Sequence, residues 1–244
     1  MTVIFISDLH LCAERPQTTA LFEKFITEIA PSATALYILG DLFEYWIGDD
    51  QLDHDSLARS VADCLAKLAK SGVQIFFMHG NRDFLIGERF AREAGLRILP
   101  DPTSISVDGN ALLLMHGDTL CTDDTGYQQF RKQVRDPAWQ RTLLAKPFAE
   151  RLQLAHSIRS QSDVEKALKS ESIMDVNPAA VAATVAANDY PTLIHGHTHR
   201  PAKHVFSIGS RPCIRWVLSD WHESARFLAL PATALSTISI ATGG

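Results

Sequence analysis

Five clusters of oxygen and imidazole donors punctuate this chain. They are Asp8 and His10 in Ser7-Asp8-Leu9-His10, Asp41 after Gly40, Asn81 in His79-Gly80-Asn81-Arg82-Asp83, His116 in His116-Gly117-Asp118, and His197 and His199 in His195-Gly196-His197-Thr198-His199. Carboxylate, amide and imidazole donors without a thiolate suit manganese, iron or zinc better than copper(I). Asp8 and His10 stand two apart, and in an extended segment such side chains point the same way, so both reach one ion. A carboxylate placed like Asp41 can bridge two cations at the roughly 3.5–4 Å spacing of two-metal hydrolases. Each fragment alone is weak or moderate evidence. Together, and in this order, they point to one metal centre built from both halves of the chain, and so to an enzyme.

Each cluster follows a short apolar run: Val3-Ile4-Phe5-Ile6, Leu36-Tyr37-Ile38-Leu39, Ile75-Phe76-Phe77-Met78, Leu112-Leu113-Leu114-Met115 and Thr192-Leu193-Ile194. Continuous apolar runs of this length read as buried strands that deliver ligands at their ends. Between them, Leu21, Phe22, Phe25, Ile26 and Ile29 recur at helical spacing, as do Leu57, Val61, Leu65 and Leu68, with Gly72 ending the second helix. This alternation predicts an α/β layered domain. Further strands are expected at Ile214–Leu218, Arg226–Leu230 and Leu235–Ile240, giving a second sheet packed on the first.

The stretch from 122 to 177 lacks strand-like runs and has several helical ones. The expected division is a core over 1–121, a helical insertion over 122–177 and the rest of the core over 178–244. Between Arg131 and Arg159, seven cations (Arg131, Lys132, Arg135, Arg141, Lys146, Arg151, Arg159) face only Asp136 and Glu150. Trp139, Leu143, Leu144, Phe148, Leu152 and Ile158 interleave with them. This segment reads either as a cap over the site or as an amphipathic helix pair with a solvated basic face.

The chain has 244 residues, 46% hydrophobic, enough for one sizeable core plus an insert. A net charge of −5 argues against a nucleic-acid partner. The four cysteines are scattered and read as reduced, small buried hydrophobes. No signal peptide or membrane-spanning run is visible, so a soluble or peripheral protein is expected, with no obligate protein partner evident.

The order D-x-H, G-D, G-N-R-D, H-G-D, G-H-x-H resembles that of the calcineurin-like metallophosphoesterases, over the whole chain except the insertion and tail. The resemblance implies a two-sheet sandwich flanked by helices, here with an inserted helical cap, and a two-metal site at the strand ends. Carried over by position, Asp8, His10, Asp41 and His199 hold one metal, and Asp41, Asn81, His116 and His197 the other. His195 lies outside G-H-x-H and supports the ligands from behind or is purely structural. Most members carry His, thought to protonate the leaving group, where this chain has Arg82. Arginine stays charged and cannot act as that acid, but it clamps phosphate oxygens and stabilises transition-state charge. An enzyme lacking the acid needs a good leaving group. A phosphate monoester, with a second pKa of about 6, qualifies and an alkoxide does not. Arg82 therefore favours cleavage of a pyrophosphate, unless His10 or a water supplies the proton.

Longer matches, including Trp46-Ile47-Gly48-Asp49-Asp50, His116 to Asp124 and Ile173-Met174-Asp175-Val176-Asn177, resemble the UDP-2,3-diacylglucosamine pyrophosphohydrolase family of lipid A synthesis in Gram-negative bacteria. That likeness implies two Mn²⁺ per chain and attack of activated water on the uridine-side phosphorus, giving UMP and 2,3-diacylglucosamine 1-phosphate. It implies a catalytic Arg82 and substrate contacts from Asn81, Arg82, Asp124, Tyr127, Arg159, Ser162, Lys166, Lys169 and His197. Lys166 stands where relatives often have Asn, and Ser219 where a Gly is expected, at a cost of about 1 kcal/mol if that Gly had positive φ. The substrate is an amphipathic nucleotide-sugar lipid. The basic insertion would rest on the cytoplasmic face of the inner membrane, each nearby cation contributing about 1 kcal/mol. Two rivals are another hydrolase on the same site, such as a cyclic-nucleotide phosphodiesterase, and a scaffold that has lost its metals.

Overall fold

The apolar runs form the centres of two stacked sheets. The structure, a computed structural model, describes residues 2–168, 173–222, 224–230 and 236–241, with backbone only over 161–168 and 236–241. The strands are β1 (Val3–Ile6), β2 (Ala35–Ile38), β3 (Gln74–Met78), β4 (Leu96–Leu99), β5 (Thr103–Val107), β6 (Asn110–Met115), β7 (Thr192–His195), β8 (Ala202–Ile208), β9 (Arg211–Val217), β10 (Ser224–Leu230) and β11 (Ser236–Ala241). One sheet has the order β11-β10-β1-β2-β3-β4, and β1 through β4 are parallel. The other has the order β5-β6-β7-β9-β8, with β6, β7 and β9 parallel.

Residue alternation explains why these runs are apolar throughout. Val3 and Phe5 of β1 face Leu112, Leu114 and Ile194 of the other sheet, in the core between the layers. Ile4 and Ile6 face outward onto helices, into a core that holds Leu21, Phe22, Phe25, Val61, Leu65 and Phe90. Strands buried on both faces read as unbroken hydrophobic runs. The helices on that outer face are α1 (Pro16–Lys24), α2 (Gln51–His54), α3 (Ser56–Lys70) and α4 (Glu88–Ala94). Beyond the second sheet, Leu113, Met115 and Leu193 pack on Val181 and Val185. The helices of the second half are α5 (Thr125–Val134), α6 (Pro137–Leu144), α7 (Phe148–Leu168) and α8 (Pro178–Ala187). The fold is thus the expected α/β two-sheet sandwich flanked by helices. β9, β10 and β11 fall where strands were expected, and Leu235 of the last prediction lies outside the described residues. β4, β5 and β8 are additions. All four cysteines are free, three of them buried.

The register sets the site. Ile6 pairs with Ile38 and Ile38 with Phe77, so β1, β2 and β3 end at one level of the sheet. Met115 pairs with His195 across β6 and β7. Backbone pairing runs on past the strand ends: Asp8 N–H donates to Gly40 O (3.0 Å), His10 N–H to Asp41 O (2.9 Å) and Gly196 N–H to His116 O (2.9 Å). The ligand loops are therefore extensions of the sheets. Ligands outside the carboxyl ends of parallel strands are the rule for open α/β sheets.

Candidate metal centre and cleft

All seven predicted ligands converge at this edge. Asp41 straddles two groups: Oδ2 lies 3.8 Å from Nε2 of His10, and Oδ1 3.8 Å from Nε2 of His116. On the first side, Nε2 of His10 is 3.2 Å from Nε2 of His199, which lies 3.4 Å from Oδ1 of Asp8. On the second, Asn81 Oδ1 faces Nε2 of His116 at 3.0 Å and Nδ1 of His197 at 2.9 Å. Donor atoms of Asp8, His10 and His199, and of Asp8, Asp41 and His116, lie within 4.8 Å of one another. Asp8 thus reaches both groups.

The backbone conformation of these residues is unusual. Asp8, His10, Asp41, His197 and His199 all have φ between 50° and 69°. Non-glycine residues rarely adopt this left-handed region, and strain of about 1–3 kcal/mol persists at such positions only where the surroundings over-determine it. Asp8 and His10 are consequently not in an extended segment. They converge because their coil is laid against Gly40–Leu42, not because of strand alternation. The neighbouring glycines leave room for the ligands: a Cβ on Gly80 would collide with the Asp41 carboxylate, and one on Gly196 with Asp8 and Ser7.

The residues around the cluster aim it. Ser7 Oγ (2.6 Å) and the His197 N–H (2.9 Å) donate to Asp8 Oδ2, and the Arg82 N–H donates to Asp41 Oδ1 (2.9 Å). Asp83, fully buried, accepts from the N–H groups of Gly80 (2.9 Å) and Leu42 (2.7 Å), tying the loops after β2 and β3 together. Burial and the Asp41 charge push the Asp83 carboxyl up to about 7. Burial also raises Asp8, but His199, His116 and His10 outweigh it and hold that carboxyl well below the usual range. Burial raises Asp41, with Asp8 adding to it. Burial pulls His197 down to about 3 and holds His10 well below its ordinary value. In His116 the pull of burial is overcome by Asp41, Asp118 and Asp8, which raise it to about 9.

A cleft of about 530 Å³ opens from the cluster, walled by Tyr45, Trp46, Phe84, Leu85 and the inserted helices. Phe130, Val134, Trp139, Leu143, Leu154 and Ile158 supply the apolar part of that wall. The basic stretch is not a solvated face. Arg131 Nε donates to buried Asp118 (2.7 Å), Arg135 to Gly80 O (2.8 Å), and Arg151 to Asp50 (3.0 Å), while Arg159 pairs with Glu44. Four of the seven cations thus turn inward and fasten the helices to the core, leaving Lys132, Arg141 and Lys146 exposed.

Of the predicted substrate contacts, Asn81, Arg82, Asp124, Tyr127, Arg159 and His197 line the cleft. Asp124 also caps α5, accepting from the Tyr127 N–H (3.1 Å), and the Tyr127 hydroxyl donates to Asp118 (2.7 Å). Ser162 and Lys166 fall where only the backbone of α7 is described, and Lys169 lies outside the described residues. His195 points away from the cluster: its Nε2 accepts from Arg215 (3.1 Å) and its Nδ1 donates to Gly196 O (2.8 Å). Ser219 is not among the positive-φ residues, so it carries no backbone penalty. Sequence reading missed Glu44, Asp83 and Asp118 as site-building residues. What marks them is burial of a charged side chain, which the fold shows and the sequence does not.

A two-sheet sandwich with this donor cluster at its strand ends defines a metallophosphoesterase site. The calcineurin-like phosphoesterase family matches residues 1–201, and the chain belongs to that family. Among curated proteins it is 56% identical to the UDP-2,3-diacylglucosamine hydrolase of Aromatoleum aromaticum, over 93% of this chain and 92% of that one. It is 50% identical to the UDP-2,3-diacylglucosamine hydrolase of Stenotrophomonas maltophilia over 99% of both chains. It is 51% identical to that of Xanthomonas axonopodis pv. citri, over 97% of this chain and 98% of that one.

Proposed function

We propose that this protein hydrolyses the pyrophosphate bond of UDP-2,3-diacylglucosamine, giving UMP and 2,3-diacylglucosamine 1-phosphate in lipid A biosynthesis. The relatives' names support the substrate. The observation that carries the chemistry is the convergence of donors on two points: Asp41 lies 3.8 Å from both His10 and His116, His199 lies 3.4 Å from Asp8 Oδ1, and Asn81 Oδ1 stands 3.0 Å from His116 Nε2 and 2.9 Å from His197 Nδ1. Oxygen and imidazole donors packed this closely suit a divalent cation between them. The donor set fits a divalent pair, Mn²⁺ in our reading. Asp8, His10, Asp41 and His199 would hold one ion, and Asp41, Asn81, His116 and His197 would hold the other. When bound, that pair supplies an activated water at neutral pH and neutralises phosphate charge.

The chain's own residues do the rest. Arg82 lines the cleft beside the cluster and clamps the diphosphate, stabilising charge on the departing lipid phosphate. That group leaves as a phosphate monoester and needs no protonating histidine. Asp124, Tyr127, Arg159, Ser162, Lys166 and Lys169 form the nucleotide and glucosamine end, and the apolar wall over 130–158 receives the acyl chains. The insertion over 122–177 then acts as a cap. Peripheral contact with the cytoplasmic face of the inner membrane rests on exposed Phe130 and Leu154, which line the cleft, on exposed Leu144 of α6 and on three exposed cations. Among the described residues no helix is long and apolar enough to cross a membrane.

The test is incubation of purified protein with UDP-2,3-diacylglucosamine in detergent with Mn²⁺, with and without chelator. UMP should form and chelator should stop it. Fast turnover of cyclic nucleotides or nitrophenyl esters with no UMP would contradict the reading.

A further inference from the structure

A carboxylate buried beside a site that must accept a diphosphate is electrostatically adverse, and Glu44 is such a group, its side chain 6% exposed. It is fixed there by backbone. The Glu44 N–H donates to Leu11 O (3.1 Å), and Leu11 N–H to Leu42 O (2.9 Å), so residues 42–44 run against the loop that carries His10. Three guanidinium groups close on the carboxylate from separate parts of the chain: Arg15 from the loop after β1, Arg82 after β3 (3.8 Å), and Arg159 from α7 of the insertion. Arg82 and Arg159 also line the cleft, next to Asp41 and Asn81. Like charges this close repel one another, and one buried anion between them removes that cost while leaving the group net positive.

We infer that Glu44 is a positioning residue whose carboxylate gathers Arg82 and Arg159 into a preformed clamp for a phosphate or diphosphate group. This rests on the proposed pyrophosphate chemistry. It assigns Glu44 no contact with the substrate. Held arginines need no reorganisation when phosphate charge arrives, which is where preorganised charge contributes most.

The sign of one measurement separates this role from simple charge. Removing an anion from an anion-binding site should, by charge alone, tighten phosphate binding. If Glu44 gathers the clamp, Glu44→Gln should instead weaken binding of inorganic phosphate to the metal-loaded protein about fivefold, and lower kcat about tenfold or more without lowering KM. The loss should be non-additive with Arg159→Ala: in that background Glu44→Gln should cost less than about threefold, because one of the two clamp arginines it holds is gone. Thermal midpoint and metal content are measured beside each variant, since Glu44 also lies 3.6 Å from Nδ1 of His10. If Glu44→Gln does not fold, Glu44→Asp, which keeps the charge and loses reach, is read by the same criteria. Unchanged or tighter phosphate binding, full additivity with Arg159→Ala, or loss of bound metal would each overturn the inference. The phosphate arm decides it even if the wild type releases no UMP, the result that would refute the substrate reading instead.

Discussion

At the level of single residues, the carboxylates around His116 decide its charge. Asp41, Asp118 and Asp8 overcome its burial and raise it to about 9, above the roughly 6.5 of an unfolded histidine. A folded value above the unfolded one gives stability that is full below about 6.5 and lost as pH rises through about 9. A dication must displace that proton, so metal affinity should rise over the same window. Calorimetric titration with Mn²⁺ near pH 7.5, in buffers of different ionisation enthalpy, should show about one proton or more released per chain. Heats independent of buffer would contradict this. Arg82→Ala should lower kcat by roughly 10²–10³ with metal content near wild type, checked by steady-state kinetics beside metal analysis. Gly196→Ala should do the reverse of sparing the metal, because its Cβ displaces Asp8. Metal content should fall, and full occupancy would show that the loop gives way freely. The ligand types and their order were legible in the sequence. The left-handed backbone of Asp8 and His10 was not, because Asp and His only tolerate that region and the backbone bonds that hold it there go to Gly40 and Asp41, over thirty residues away.

In the elements, the inserted helices are held by buried polar contacts as much as by apolar ones. Asp118 is fully buried and accepts from Arg131 and Tyr127 of α5, so Arg131→Met leaves a buried carboxylate with one donor fewer. That should cost about 2 kcal/mol or more in chemical unfolding. A change under about 0.5 kcal/mol, the usual range for surface sites, would place the pair among unimportant ion pairs. The helical nature of 125–168 could be read from the absence of strand runs. The direction of its cations could not, because a charge count carries no information about partners. β8 escaped notice for a related reason. Its residues are largely exposed at the sheet edge, with Val205 70% exposed, so no buried run marks them. β5 alternates half-buried and exposed residues, and β4 has one fully buried residue, Leu96, so neither presents a continuous buried run.

The whole molecule joins two sheets whose strand ends meet at one point, with neither half carrying all seven of the proposed ligands. Asp8, His10, Asp41 and Asn81 come from the first sheet, and His116, His197 and His199 from the second. The proposed centre should therefore stabilise the sandwich as well as serve its chemistry, since a ligand bound only by the folded state adds to stability by mass action. The thermal midpoint should rise with Mn²⁺ and fall with chelator, and a midpoint indifferent to both would detach the cluster from metal binding. The most direct test is metal analysis of wild type and Asp41→Ala, with UMP release followed on the same samples. Two ions per wild-type chain are expected, with loss of both metal and turnover when the straddling carboxylate is removed. Asp41→Ala purified with full metal and full rate would contradict it.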